Sequence, residues 1–285
     1  MTATVPEFAV GTTAQSSPPK KPARNRGPRE HRGAGWRVNL ARIGVVVVIL
    51  LVWHIAATLG VVNPILLPSP LAVFQDFVER MIDGTLPASV GFTLRSAAIG
   101  FVIGMVVGVA LGFLIGLSQT ATKIASPFIT IFNAMPRIAL APMFVLWFGI
   151  GLGSGVALVV SLVVFIALTN TLAGAQSVER NQLTLARLYG ASRAQMILKV
   201  ILPATVPWIL AAGHLALANA LSGAIVSEMF LGQNGLGFLI VTSSGLFNMA
   251  GVFAAIFMAM IVAAILDWLG SMLETYLLRW RPPQL

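Results

Sequence analysis

Six side chains in this chain are polar or charged where their neighbours are almost wholly apolar: Asn133, Arg137, Asn170, His214, Asn219 and Glu228. Ionisable groups inside apolar spans are costly and read first as functional. Arg137 follows Pro136 directly, so it either faces a water-filled path and attracts an anion or pairs within the protein. Asn133, Asn170, His214 and Asn219 either line such a path or bond a neighbouring helix. Glu228 falls near the end of an apolar run, where it closes a gate or makes a hydrogen bond at the membrane surface. Asp267 is a seventh such residue, with no partner evident in the sequence. An intramembrane enzyme would need a Ser/His pair or two Asp on facing helices, and His214 has no evident partner of that kind. No GxxxxGK[ST] occurs, and none of Lys20, Lys21, Lys123 or Lys199 follows a glycine, so a phosphate-cradling loop of that type is absent. There is no HExxH, no nucleophile elbow, no metal-ligand cluster and no cysteine. Nucleotide chemistry, if this chain uses any, has to be borrowed from another chain.

The elements that position these residues are membrane spans. Of 285 residues 57% are hydrophobic and only 9% charged, far below the quarter charged in soluble domains. Six apolar runs are each long enough to cross about 30 Å of hydrocarbon: 43–59, 88–117, 124–148, 156–175, 206–229 and 250–273. The expected class is an all-α polytopic membrane protein. Residues 1–36, rich in Pro, Lys and Arg, cannot build a core and read as a disordered basic tail. The net charge of +9 does not point to nucleic acid, because the basic residues gather at the ends of spans. With the amino terminus inside, all of the 18 Lys and Arg except Arg80, Arg95 and Arg137 fall in cytoplasmic segments. The positive-inside rule selects that orientation.

Between the fourth and fifth runs lies a polar island, Leu183 to Pro203. Gly190 can end one short helix through a left-handed cap. Ser192 can cap the next, with Gln195 completing a capping box. Pro203 is expected to stop that second helix by disfavouring helical geometry at Leu202. The predicted result is a helix–turn–helix elbow carrying Arg180, Arg187, Arg193 and Lys199, a docking surface facing the cytoplasm.

Three further patterns concern packing and helix shape. Gly100, Gly104, Gly108, Gly112 and Gly116 form a four-residue ladder that lets another helix backbone approach closely. Ser69 and Pro70 read as the N-cap and first residue of an amphipathic helix bearing Leu71, Phe74, Phe77, Val78, Met81 and Ile82. Pro136 and Pro142 interrupt the third run and bend it.

Over about residues 40–280 the chain resembles a permease subunit of a binding-protein-dependent ABC importer of the nitrate/sulfonate/taurine type. The elbow is similar to that superfamily's cytoplasmic loop: EAA, three residues, Gly, nine residues, Ile, one residue, Leu-Pro. Gly190, Leu202 and Pro203 match it, with Val200 in the isoleucine place. Leu67-Pro68-Ser69-Pro70, the run from Ala139 to Gly149, and Glu228-Met229 through Gly235-Leu236-Gly237 also resemble the subgroup. One departure stands out: the EAA triplet reads Thr184-Leu185-Ala186, without the acidic residue that helps engage the ATPase.

The resemblance implies six transmembrane helices in the type I ABC importer permease fold, with residues 37–285 as permease domain and an ATPase-coupling loop at about 176–205. Carried onto this sequence, the coupling residues are Thr184, Ala186, Arg187, Gly190, Ala191, Ser192, Arg193 and Pro203. It implies no cofactor on this chain, ATP and Mg being bound by two partner ABC ATPase subunits. It also implies a second permease copy, as a homodimer, and an extracytoplasmic solute-binding protein. The place is the bacterial plasma (inner) membrane, with both termini cytoplasmic. The solute implied is a small anion such as nitrate, bicarbonate, a sulfonate or taurine, although other subgroup members take pyrimidine-like vitamin precursors or aromatic acids. The alternative is an ion-driven secondary transporter, which would need repeated halves or carboxylates poised for ion coupling.

Overall fold

A computed structural model describes residues 35–59, 63 and 65–279. Of the expected basic tail, residues 1–34 lie outside that set, as do the basic residue at 281 and the carboxyl end. Two units are distinguished, residues 1–49 and 50–285. Helix α1 (Gly35–Thr58) begins in the first and ends in the second. In the second unit Trp53 donates Nε1–H to the Pro68 carbonyl at 3.1 Å and lies against Phe253 and Phe257.

The described residues are helical, with no strand among them. Helix α2 (Pro70–Ile82) starts as its sequence predicts: Ser69 Oγ accepts the Ala72 N–H and proline occupies the first turn. Val73 is buried, whereas Leu71, Phe74 and Ile82 are exposed, as suits a helix lying at a membrane surface. Helix α3 (Thr85–Gly116) carries the glycine ladder. Its partner is helix α6 (Leu152–Gln176) of the same chain. A Cβ at Gly100 would lie 2.5 Å from Val159, and one at Gly104 2.7 Å from Val163. A Cβ at Gly112 would lie 2.5 Å from the Leu168 carbonyl, and one at Gly116 2.6 Å from Ala175. Lipid is as apolar as these side chains, so this contact is stabilised by close van der Waals packing rather than by hydrophobic burial.

The ladder also settles the topology. Residue numbers rise together along the two helices, so α3 and α6 run parallel. The chain leaving α3 must therefore return to the opposite end before α6 can start. Helices α4 (Gln119–Ala134) and α5 (Ala141–Phe148), with a 3-10 turn at Arg137–Leu140 between them, make that return. They meet at 79°, so the third span is a broken crossing rather than the single bent helix expected. The break falls at Met135 and Pro136, both extended, because the residue before a proline is pushed out of helical geometry.

Helix α7 (Arg180–Leu188) and the short helix α8 (Arg193–Met196) follow α6. A wide π turn at Ile197–Ile201 then leads into α9 (Leu202–Leu231). The expectation that Pro203 stops the second elbow helix is corrected here. Leu202 is helical (φ −60°, ψ −49°), and residues Arg193–Phe230 form one apolar rod. A proline inside a helix clashes with the carbonyl four residues back. The π turn moves the pairing to five residues, Leu202 N–H donating to the Ile197 carbonyl, and so makes room for the ring.

Helix α9 runs antiparallel to α6: Gly174 lies against Trp208, and Gly223 against Leu162. A short helix α10 (Leu236–Gly245), not expected from the sequence, precedes α11 (Met249–Leu277). Two buried clusters hold the helices together. Ala97, Val159, Val163, Ala216, Ala220 and Ala224 join α3, α6 and α9. Leu86, Leu221, Leu236, Leu239, Ala255, Met258 and Val262 join α3, α9, α10 and α11.

Candidate functional site

The elbow is built from local chain chemistry. At the end of α7, Gly190 has φ +78°, its N–H donates to the Arg187 carbonyl at 2.9 Å, and the Ala191 N–H donates to the Ala186 carbonyl at 3.0 Å. That is a complete Schellman cap, which needs a residue tolerant of left-handed geometry at this position. Two residues on, Ser192 Oγ accepts the Gln195 N–H at 3.3 Å and Gln195 Oε1 accepts the Ser192 N–H at 2.9 Å, the capping box in full. Both caps sit where the sequence puts them.

The second limb of the elbow is the end of a membrane rod. Arg193–Phe230 comprises 38 residues, about 57 Å at 1.5 Å per residue, well beyond the thickness of a hydrocarbon core. The elbow is therefore joined to α9 through the π turn without an intervening loop. Thr184, Arg187, Gly190, Ser192, Arg193 and Pro203 are exposed, while Ala186 and Ala191 are half-buried. Between the charges the tip is apolar: Leu188 is 78% and Tyr189 88% exposed, with Leu185 and Leu198 also uncovered. The elbow thus offers uncovered apolar side chains framed by Arg187, Arg193 and Lys199.

The polar residues inside the spans are each held by their own local contacts. Arg137 Nη2 donates to Asn133 Oδ1 at 2.9 Å and to the Phe132 carbonyl at 3.1 Å, and its guanidinium lies 4.4 Å from the centre of the Phe165 ring. Of the two roles open to it, the structure supports pairing: it caps the carbonyl end of α4 at the break. Asn170 and Asn219 donate to carbonyls one turn back on their own helices, Ile166 and Leu215. Asn219 and Asn133 are exposed along the spans, whereas Asn170 is half-buried.

His214 does have partners. Its Nδ1 lies 2.9 Å from Glu274 Oε2 and its Nε2 3.1 Å from Asp267 Oδ1. The cluster ties α9 to α11 and gives Asp267 the partner that the sequence did not reveal. Asp267 and Glu274 are seven residues apart, two helical turns, and so share one face. That spacing is the one signal of the pair that the sequence carries.

Glu228 is placed differently from the surface position expected. It is 3% exposed, enclosed between α3, α9 and the start of α10. Its Oε2 accepts the Thr93 hydroxyl at 2.8 Å and the Gly237 N–H at 3.0 Å. The reason is α10, whose folding back against α9 covers a carboxyl that would otherwise face outward.

Comparison with known proteins agrees with this architecture. The profile of the family described as "Binding-protein-dependent transport system inner membrane component" matches residues 100–278. A putative aliphatic sulfonates transport permease protein of Bacillus subtilis is 31% identical over 262 residues, covering 92% of this chain and 91% of its own length. The taurine transport system permease protein of Escherichia coli is 30% identical, covering 86% of this chain and 93% of its own length. The riboflavin transport system permease protein of Chloroflexus aurantiacus is 36% identical, covering 81% and 87%. Among solved structures, an inward-facing MetNI methionine ABC transporter chain superposes with TM-score 0.61 at 17% identity, covering 67% of this chain and 95% of that one. A chain of an amino acid ABC transporter superposes with TM-score 0.57 at 20% identity, covering 70% and 97%.

Proposed function

This chain belongs to the family of binding-protein-dependent transport system inner membrane components, and from that premise we propose that its elbow is the seat of a partner ATPase that drives solute import. The observation that carries the reading is the continuity of elbow and span: a double-capped turn fixed at Gly190 and Ser192 opens directly into the rod of α9. A stiff elbow is what such a device requires. ATP can shift the membrane helices only by favouring one arrangement of the ATPases over another. Moving that balance from 1:99 to 99:1 takes about 5.5 kcal/mol of differential binding. A soft elbow would absorb the bias before it reached α9.

In this reading two ATPase subunits bind ATP and Mg, and this chain carries no catalytic residue. A second copy of the permease completes the path, and an extracytoplasmic binding protein presents the solute. Thr184, Ala186, Arg187, Gly190, Ala191, Ser192, Arg193 and Pro203 form the coupling surface. The apolar tip at Leu188 and Tyr189, framed by basic side chains, supports a partner groove that is apolar with acidic edges. The elbow and both termini face the cytoplasm, which the distribution of Lys and Arg supports.

The solute is a small anion of the sulfonate, nitrate, taurine or carboxylate kind. What supports this is the naming of relatives as sulfonate and taurine permeases. Arg137 gives Nη2 to Asn133 and the Phe132 carbonyl and stacks on Phe165, while its Nε has no partner among the described residues, so its support for an anion is weaker than that of the relatives. The riboflavin permease among the relatives favours a second class, a flat heteroaromatic solute. The test is uptake into proteoliposomes holding this chain with its ATPase and binding protein. Uptake should need ATP inside the compartment that holds the elbow and should persist when ion gradients are collapsed. Uptake driven by an ion gradient without ATP would return the chain to the secondary-transporter reading.

A further inference from the structure

Helix α10 has ten residues, too few to cross a membrane. Its first turn is buried: Leu236 is fully enclosed, and Gly235 and Gly237 are buried beside it. A helix start leaves N–H groups without partners inside the helix. In a low-dielectric setting each has to be met by an acceptor. Here two other helices supply the acceptors. Thr93 of α3 takes the Leu236 N–H on its hydroxyl oxygen at 3.0 Å, and Glu228 of α9 takes the Gly237 N–H on Oε2 at 3.0 Å. The two side chains are joined to each other by the 2.8 Å bond from the Thr93 hydroxyl to the same Oε2. Three helices thus meet at one carboxyl oxygen.

The fit around that oxygen is tight. A Cβ at Gly235 would overlap the Glu228 carboxyl, and one at Gly237 would overlap the Ile225 carbonyl. The other end of α10 is fastened as well. Asn248, just beyond it, accepts the Gly251 N–H on Oδ1 and donates to Asp76 Oδ1 of α2. Arg80 closes the same corner, pairing with Asp76 and lying over Gly251. Between these two fastenings the chain holds Phe247 in left-handed geometry (φ 57°), with Leu246 and Phe247 exposed.

We propose that Glu228, with Thr93, is a positioning residue: it locks the half-helix α10 to α3 and α9, so that the corner at residues 245–251 and the α9 rod move together. A displacement at that corner then reaches the elbow through hydrogen bonds and one continuous helix. Oε2 does this work as an acceptor, while Oε1 is buried without a hydrogen-bond partner among the described residues and takes no part in the lock. The transport part of the inference rests on the reading of this chain as an ATP-driven permease, whereas the lock itself does not.

The experiment compares Glu228→Leu, Glu228→Gln and Thr93→Val in the full complex with its ATPase, reconstituted in lipid. Leucine fills a similar volume without an acceptor, and glutamine keeps one. Amide exchange at residues 235–239 should rise about tenfold in Glu228→Leu, as expected when a buried acceptor is withdrawn from a helix start. Uptake per ATP hydrolysed should fall about fivefold or more while basal hydrolysis stays within about twofold. Glu228→Gln should recover at least half of both losses. Thr93→Val should raise the same exchange, and it carries the test if Glu228→Leu does not reach the membrane. Unchanged exchange and uptake per ATP in Glu228→Leu would overturn the proposal. So would a Glu228→Gln variant as impaired as Glu228→Leu, since a charge or a proton would then be the requirement. If the wild-type complex hydrolyses no ATP, the permease reading fails by itself, and the exchange measurement still decides the lock.

Discussion

Replacing Gly190 tests the stiffness of the elbow with little steric interference. The residue sits at φ +78°, yet a Cβ there would meet nothing within 4 Å. A substitution is therefore felt through backbone geometry and not through crowding. Left-handed geometry costs an L-residue roughly 1–2 kcal/mol. Alanine belongs at the low end and β-branched valine at or above the high end, while asparagine tolerates this geometry and substitutes for glycine in such caps. At 1.4 kcal/mol per factor of ten, the native turn loses about fivefold to thirtyfold in relative population. The two cap bonds, Gly190 to Arg187 and Ala191 to Ala186, are lost when the turn opens. The expected order of uptake per ATP hydrolysed is Gly190, then Gly190→Asn close behind, then Gly190→Ala, then Gly190→Val. The assay is uptake and hydrolysis in the same proteoliposomes, with the amount of inserted protein measured in parallel. Undiminished uptake by Gly190→Val would refute the reasoning. A Gly190→Asn variant as poor as Gly190→Val would also refute it, because the glycine would then be needed for a contact and not for its geometry.

Gly104→Leu should destabilise the α3–α6 contact, since its Cβ would lie 2.7 Å from Val163. Overpacking of about 1–3 kcal/mol corresponds to a fall of about 3–10 °C in the melting midpoint in detergent. Gly91→Leu, where nothing lies within 4 Å of the added Cβ, should leave the midpoint unchanged. Arg137→Met removes the donors to Asn133 and to the Phe132 carbonyl together with the stack on Phe165. It should raise amide exchange around residues 133–140 by about tenfold, with solute specificity unchanged. The Asp83 carboxyl accepts the Thr85 N–H at 2.8 Å, and that bond holds it below the ordinary carboxylate range. The support it gives to the start of α3 is present above the unfolded value and lost as pH falls through the lowered one. Exchange at Thr85 should therefore rise on acidification below about pH 4, and Asp83→Asn should abolish that dependence.

The parts of this fold legible in the sequence are those decided within one or two turns of chain. The caps at Ser69, Gly190 and Ser192 follow from residue types at fixed offsets, and the structure has all three. The glycine ladder was legible as a packing face, but its partner was not, because spacing on one helix says nothing about which helix fills the groove. Pro203 does not stop the helix because the rule for the preceding residue assumes a regular helix, and the π turn at Ile197–Ile201 supplies a different one. Helix α10 is not legible because ten residues after a glycine, three of them Thr or Ser, look like part of a loop between longer spans. With α10 missing, Glu228 looked like a surface group. His214, Asp267 and Glu274 meet only when α9 and α11 are packed, so their association is a tertiary fact. The broken third span lies in between: Pro136 marks the place, whereas the 79° angle is seen only in the folded chain and the return crossing follows from the parallel register of α3 and α6.

The most direct test of the account uses the absence of cysteine from this chain. A single Tyr189→Cys substitution puts a thiol at the elbow tip, where the native side chain is 88% exposed. A membrane-impermeant maleimide should label it in inside-out vesicles and not in sealed cells. Bound ATPase should block that labelling, and stripping the ATPase should restore it. Labelling from outside sealed cells, or labelling indifferent to the ATPase, would contradict the claim that this elbow is where nucleotide energy enters the membrane helices.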